Sequence, residues 1–344
     1  MPDRTRLRDG RETTRFAPYL TREDPTVVVD VARTAEAPNC LRVDAPRQPV
    51  YDDGLVQVWH GDARALPLPD GSVHLVITSP PYNCRVAYDG YDDWLPWGQY
   101  WHDLIEPSMR ECFRVLAPGG RIAVNLANVV RQDVTSQPTE LLRQPRGRWK
   151  PPGANGEPWS VMVAPRLWAT LEQIGFLPRE QLTWIKALNP EDVATSTAWG
   201  SWCSASNPVL RAVAEPVFIA SKLTHRRSPG MSDLTSDEFK AWTRNVWNIP
   251  AGNGDRDLDH PCKFPAELPR RLIKLYSYVG DVVLDSFCGS GTTLRVAKDL
   301  GRRAVGVDIS PRYCAMSADR CRQQLLFAAE LAAAAQTAGT EREG

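Results

Sequence analysis

Two segments of the 344-residue chain pair reactive side chains with a backbone that holds them still. The first is Thr78-Ser79-Pro80-Pro81-Tyr82-Asn83, which continues directly from the apolar run Val73–Thr78. Consecutive prolines fix φ and donate no N–H, so the chain leaves a sheet here in one extended conformation. This presents the Ser79 hydroxyl, the Pro80 carbonyl and the Tyr82 ring at a strand's carboxyl end. Two acceptors beside an aromatic face suit an exocyclic amino group on a flat heterocycle. Taken alone, a Pro-Pro pair more often simply ends a strand, so its meaning depends on what accompanies it.

The second segment, Asp285-Ser286-Phe287-Cys288-Gly289-Ser290-Gly291-Thr292-Thr293, also follows an apolar run and opens a helical pattern. Gly289 and Gly291 allow a ligand close to the backbone, and the helix start offers free N–H groups. A dinucleotide fingerprint would need a third glycine where Leu294 stands, and no Gly-Lys-Ser/Thr follows, so NAD sites and Walker P-loops are both disfavoured. Asp308 ends the next apolar run, Val305-Gly306-Val307-Asp308, where an acid typically receives ribose hydroxyls.

Composition excludes other chemistries. The eight cysteines stand singly with no Cys-x-x-Cys pair, which reads as reduced thiols without a metal site or disulfide framework. The 41 basic residues balance 41 acidic ones, so no global charge draws the chain to nucleic acid. A 42% hydrophobic and 24% charged composition is that of a globular protein. No apolar run approaches the roughly 18 residues of a membrane helix, and Met1–Arg15 lacks a signal-peptide core, so the expected location is the cytoplasm and no membrane partner is expected.

The elements that must position these segments alternate from Leu55 onward. Strands are predicted at Leu55–Trp59, Val73–Thr78, Arg121–Leu126, Gln181–Ile185, Pro216–Ala220, Val282–Asp285 and Ala304–Val307. Helical spacing falls at Trp97–Leu116, Ser160–Gly175, Phe264–Tyr278, Thr292–Leu300 and Pro311–Phe327. Alternation of this kind predicts an α/β fold with a doubly wound, mostly parallel seven-stranded sheet, whose ligands sit beyond the strands' carboxyl ends. Residues 1–50 read as an N-terminal arm, 51–325 as the main domain and 326–344 as a tail. Two stretches break the alternation: 131–158, with Arg131, Arg143, Arg146, Arg148 and Lys150, and 223–259, with His225, Arg226, Arg227, Trp242, Arg244 and Trp247. On charge alone the first is most simply a solvated loop, and Trp247, ahead of Ile249-Pro250, reads as core.

Together the motifs resemble the DNA amino-methyltransferases, the N4-cytosine and N6-adenine family that uses S-adenosyl-L-methionine, over about residues 55–325 in order. Ser79-Pro80-Pro81-Tyr82 is similar to that family's catalytic motif, and Asp285 to Thr292 to its glycine loop. Gly61-Asp62-Ala63 resembles its acidic turn, and Arg114 to Gly120 with the strand to Asn125 its next helix–turn–strand. Gly200-Ser201-Trp202, Asn207-Pro208, Glu215 and Lys222 resemble later elements, and His260 to Pro265 the segment covering the donor's methionine end. The catalytic motif precedes the glycine loop, which is the circularly permuted β-group order. Ser286 departs from the pattern, since the family usually has proline there; serine can take the same backbone angles, so the loop should persist.

The resemblance implies a Rossmann-like methyltransferase fold and a site-specific type II enzyme of a restriction-modification system. Catalysis falls to Ser79, Pro80, Pro81 and Tyr82, and donor binding to Asp62, Ala63, Phe264, Pro265, Asp285, Phe287, Gly289, Ser290, Gly291, Thr292 and Asp308. Implied partners are double-stranded DNA and a cognate restriction endonuclease that is not a stable subunit, with the chain a monomer or homodimer. A leading Ser is associated mainly with N4-methylcytosine, making N4 the favoured product, N6-adenine methylation the runner-up and an inactive DNA-binding regulator the rival of another class. In this scheme Ser79 Oγ and the Pro80 carbonyl accept the amine's hydrogens, and Tyr82 stacks on a flipped base. Pro261-Cys262 could suggest C5-cytosine chemistry, but it precedes the glycine loop and would leave Ser-Pro-Pro-Tyr without a role. Either insert, 131–158 or 223–259, is a candidate reader of DNA.

Overall fold

Apolar residues run almost unbroken along most of the predicted strands, and in the computed structural model the pleat sends successive ones to opposite faces of one sheet. The structure describes residues 4–6, 12–14, 48–132, 159–186, 201, 203–208, 210, 212–251, 261, 262 and 264–322. Two units divide the chain, Met1–Asn39 and Cys40–Gly344. In the first, Arg4–Arg6 pairs antiparallel with Glu12–Thr14.

The second unit carries a nine-stranded sheet. Its strands are β1 (Tyr51–Asp52), β2 (Val56–His60), β3 (Val73–Thr78), β4 (Leu116–Asn125), β5 (Phe176–Ile185), β6 (Ala214–Lys222), β7 (Val246–Asn248), β8 (Val282–Asp285) and β9 (Arg303–Asp308). Their order across the sheet is β7-β5-β6-β4-β3-β8-β9-β2-β1. The five pairings β7–β5, β4–β3, β3–β8, β8–β9 and β9–β2 are parallel, and the other three antiparallel. All seven expected strands are present; the edge strands β1 and β7 raise the count to nine. β7 lies inside the 223–259 stretch, so part of that insert completes the sheet, with Trp247 3% exposed.

Val76, Ile122, Val124, Phe218, Ala220, Leu284, Val305 and Val307 face one layer of helices. Leu75, Ile77, Ala123, Val217, Ile219, Val283 and Ala304 face the other. The first layer holds α1 (Glu106–Val115) and α2 (Val163–Ile174); the second holds α3 (Ser236–Trp242), α4 (Glu267–Tyr276), α5 (Thr292–Asp299) and the helix over residues 311–322, α6. No described helix is long and apolar enough to cross a membrane.

Two elements depart from the sequence reading. The helix expected from Trp97 to Leu116 is interrupted by a π-helical turn over Tyr100–Ile105. Pro107 has no N–H to offer the Asp103 carbonyl one turn back, so the winding loosens, and Arg64 Nη1 donates to that carbonyl instead at 3.1 Å. The helix expected from Ser160 starts only at Val163, because Trp159–Met162 pairs antiparallel with Val129–Gln132. Of the basic stretch 131–158, residues 133–158 lie outside the described residues, as do 323–344.

Candidate active site

The sheet order reverses direction between β3 and β8. From β3 the chain winds through α1 to β4 on one side, and from β8 through α5 to β9 on the other. The crevice beyond the carboxyl ends of two such strands is where open α/β sheets bind ligands. Both predicted segments begin there, and Thr78 Oγ1 and Ser286 Oγ join them at 3.1 Å. Ser286 is 1% exposed, and a proline in its place could not make this bond.

On the β8 side, Asp285 accepts from Thr293 Oγ1 at 2.7 Å and from the Phe287 amide at 3.2 Å. The Gly289 amide donates to Asp308 Oδ2 at 2.9 Å, and the Ser310 amide to Asp308 Oδ1 at 2.9 Å. Burial pushes both carboxyls up to about 6, against the downward pull of these donors. Gly291 has φ +76°, and a Cβ added there would lie 2.8 Å from Ser317 Oγ, so glycine is required by both conformation and space. Arg320 Nη1 reaches the Ser290 carbonyl at 3.4 Å and Thr292 Oγ1 at 3.0 Å from α6, while Ser317 Oγ donates to the Gly289 carbonyl at 2.7 Å. The loop is thereby fixed from behind.

The Gly61 amide donates to the Asp308 carbonyl at 2.9 Å, which places the Asp62–Ala63 turn beside the end of β9. The Asp62 carboxylate itself is 4% exposed and engaged by Arg64, with Nη2 at 2.6 Å and Nε at 2.9 Å. Phe264 and Pro265 are half-buried at the start of α4, and Phe264 packs on the apolar cluster that includes Cys288 and Leu294.

On the β3 side, Ser79 is half-exposed and Pro80 buried. Ser79 Oγ donates to the Tyr82 hydroxyl at 3.4 Å. That hydroxyl lies 3.0 Å from Asn125 Oδ1 and 3.0 Å from Glu215 Oε2, and Asn125 Nδ2 donates to the same carboxylate oxygen at 3.2 Å. Lys186 pairs with Glu215 Oε1. Burial and the Glu215 charge hold the Tyr82 phenol well above its ordinary range, so it stays protonated and can donate. An ionised carboxylate only accepts. Glu215 therefore sets the direction of the chain: Tyr82 donates to it, Ser79 donates to Tyr82, and the lone pairs of Ser79 Oγ are left for an incoming N–H.

The backbone after Tyr82 is clamped as well. Asn83 and Arg85 have φ of 59° and 66°. The Asp93 carboxylate, 2% exposed, accepts from the amides of Asn83 at 2.7 Å and of Cys84 and Val86 at 3.0 Å each. Asn83 exchanges two hydrogen bonds with the Leu95 backbone, and the Tyr100 hydroxyl donates to the Pro81 carbonyl at 2.7 Å.

Every described site residue of the sequence reading thus lies at or beside the carboxyl ends of β3, β8, β9 and β2, or at the start of α4. Sequence reasoning missed the supports: Asp93, Tyr100, Lys186 and the linking role of Asn125 and Glu215. A charged residue directly flanking an apolar strand was the available signal for Lys186 and Glu215, whose strands β5 and β6 form an antiparallel pair with Trp184 opposite Glu215.

The type II methyltransferase M.MjaI of Methanocaldococcus jannaschii is 28% identical over 291 residues, covering 74% of this chain and 86% of that protein. The Thermus thermophilus protein TTHA0409, in its structure with S-adenosyl-L-methionine, is 28% identical with a TM-score of 0.55 over 77% of this chain and 94% of that one. PvuII DNA methyltransferase (cytosine-N4-specific) has a TM-score of 0.56 at 22% identity over 79% of this chain and 88% of that one, a likeness of fold. The DNA methylase profile for N6 and N4 methyltransferases matches residues 73–319, from the strand that launches Ser-Pro-Pro-Tyr to the helix behind the glycine loop, and by that match the chain belongs to the N6/N4 DNA methylase family.

Proposed function

We propose that the chain transfers a methyl group from S-adenosyl-L-methionine to the exocyclic N4 amine of a cytosine flipped out of double-stranded DNA. The observation that carries this reading is the directed hydrogen-bond chain from Ser79 through Tyr82 to Glu215, which leaves Ser79 Oγ an acceptor in a segment that the Thr78–Ser286 contact joins to the glycine loop. A leading Ser in the motif supports cytosine over adenine through the family resemblance.

The donor set fits the methyl donor. Asp285 and Asp308 offer carboxylate oxygens at the ends of adjacent parallel strands, and the turn Gly289–Thr292 offers backbone beside a helix start. Phe264, Pro265 and Phe287 supply apolar surface, with Ser290 and Ala63 as close neighbours. Because Arg64 occupies the Asp62 carboxylate, the Asp62–Ala63 turn contributes through its backbone. When bound, the donor supplies an electrophilic methyl group on a sulfonium centre.

The chain's own residues prepare the nucleophile. The N4 lone pair is delocalised into the cytosine ring, so the free amine reacts poorly. Ser79 Oγ and the Pro80 carbonyl accept its two N–H hydrogens and favour a tetrahedral nitrogen with its lone pair localised. The Pro80-Pro81 backbone, braced by Tyr100, holds these acceptors in fixed relation. Tyr82 offers a ring at the same edge whose hydroxyl is anchored away from the base. The departing proton leaves after transfer, to water, since Ser79 is too weak a base to remove it first. A restriction-modification setting is proposed on the likeness to type II methyltransferases.

The test is to incubate the protein with unmethylated DNA and the donor, digest the DNA to nucleosides and identify the product by mass spectrometry. N4-methylcytosine is expected. N6-methyladenine would keep the site and overturn the base assignment, and no modified nucleoside would overturn the reading.

A further inference from the structure

We propose that Ser286 is a positioning residue for methyl transfer, holding the Ser79 acceptor in register with the glycine loop through its hydroxyl contact with Thr78. This rests on the methylation reading above, and on transfer itself rather than on which base receives the methyl group.

Strands β3 and β8 are where the sheet divides to open the crevice, and their ladder is short. Leu75 pairs with Val283 and Val76 with Leu284, and the pairing stops there. On their outer sides the same strands stay paired further, β3 with β4 as far as Thr78 opposite Val124 and β8 with β9 as far as Asp285 opposite Gly306. The backbone therefore ties each strand end to its outer neighbour but not to the other. Thr78 and Ser286 stand two positions beyond the last paired residues, and their hydroxyls, 3.1 Å apart, carry the same register across the gap. Both residues are 1% exposed, so water cannot take the place of this contact.

The contact has a direction. The Thr78 hydroxyl donates its one hydrogen to the Asp285 carboxylate, so Ser286 is the donor to Thr78 Oγ1. The Ser286 oxygen in turn lies 3.7 Å from the Cys112 thiol of α1, which burial keeps protonated. Cys112, Ser286, Thr78 and Asp285 thus form one buried chain that ends on a carboxylate assigned above to the methyl donor.

Its place in the sequence gives the chain its consequence. Thr78 is followed by Ser79 and the Pro80-Pro81 pair, whose fixed φ leaves little slack between the end of β3 and the two acceptors. Ser286 stands between Asp285 and Phe287, at the root of the glycine loop. A shift of one strand end against the other would move the amine off the line of the methyl carbon, and such misplacement costs rate steeply.

The test compares Ser286→Ala, Thr78→Val, the double variant and Thr78→Ser with the parent. Tritiated methyl transfer to unmethylated DNA gives kcat, and calorimetry without DNA gives donor affinity. A thermal melt sets an assay temperature at which every variant is folded. Ser286→Ala should lower kcat about 3- to 10-fold, the contribution of one neutral hydrogen bond, with donor affinity within about 2-fold of the parent's. Thr78→Val should lower kcat at least as far, since it also removes the bond to Asp285. The double variant should fall no lower than Thr78→Val, because the two hydroxyls make one contact. Thr78→Ser keeps the hydroxyl and should recover most of the loss. Losses that multiply in the double variant would overturn the inference, as would a donor affinity that falls in step with kcat, the mark of a loosened loop. Transfer by the parent with an unmoved Ser286→Ala rate sinks the inference alone, whereas a parent that transfers no methyl group sinks the methylation reading and the inference with it.

Discussion

Replacing Tyr82 by Phe isolates the hydroxyl that links Ser79 to Glu215. The ring keeps its packing, while the phenol loses its contacts with Ser79, Asn125 and Glu215. A hydrogen bond to a charged acceptor contributes about 1.5–3 kcal/mol net. Glu215 retains Lys186 and Asn125 Nδ2, so its carboxylate is not left without donors and the loss should sit near the lower end, about 1–2 kcal/mol. For a domain of this size that corresponds to a melting temperature lower by roughly 2–6 °C. The effect on chemistry should be larger. With no acceptor at Tyr82, the Ser79 hydroxyl rotates freely and can meet the amine as a donor, so the oriented acceptor is lost. We expect kcat to fall by about 10- to 100-fold, equivalent to about 1.4–2.7 kcal/mol of barrier, with KM for the methyl donor unchanged. Tritiated methyl transfer to unmethylated DNA measures both constants, and a thermal melt measures the fold. If the melting temperature falls while kcat is kept, the phenol serves packing only and the directed chain from Ser79 to Glu215 is wrong.

Gly291→Ala places a Cβ 2.8 Å from Ser317 Oγ at φ +76°, so a cost of about 2–3 kcal/mol and loss of donor binding are expected by melt and calorimetry. Asp285 and Asp308 are raised from 3.8 to about 6 by burial, so the folded chain holds their protons more tightly than the unfolded one. Stability without the donor should therefore decline as the pH rises from about 4 to about 6 and level off above, while donor affinity rises over the same window as the carboxylates ionise; melts and titrations across it would show the opposite trends. Asp233 pairs with Arg302, whose side chain is fully buried, at 2.7 and 2.8 Å. Asp233→Ala leaves that buried charge with only the neutral oxygens of Leu300 and Ser277 and should cost about 3–5 kcal/mol in a urea melt, whereas a purely DNA-reading insert would melt like the parent.

The segments that carry the chemistry were legible in the sequence because their demands are local. Two prolines restrict the backbone wherever they occur, and Gly289 and Gly291 announce a close approach at a helix start. The seven principal strands could be read from short, nearly unbroken apolar and β-branched runs, the pattern of a sheet covered on both faces. Other features could not be read, because they depend on residues far apart in the chain. Strand β7 exists because β5 offers an edge, and Trp159–Met162 is extended because Val129–Gln132 pairs with it, although the local pattern there is helical. Tyr82, Asn125, Lys186 and Glu215 stand on four separate segments and meet only because β6 lies between β4 and β5. By itself, then, the sequence determined the acceptor motif, the glycine loop and the alternation that forces a two-faced sheet. Only the tertiary structure decided which way the Ser79 hydroxyl points, since that direction is set by a carboxylate 136 residues away whose position depends on strand order.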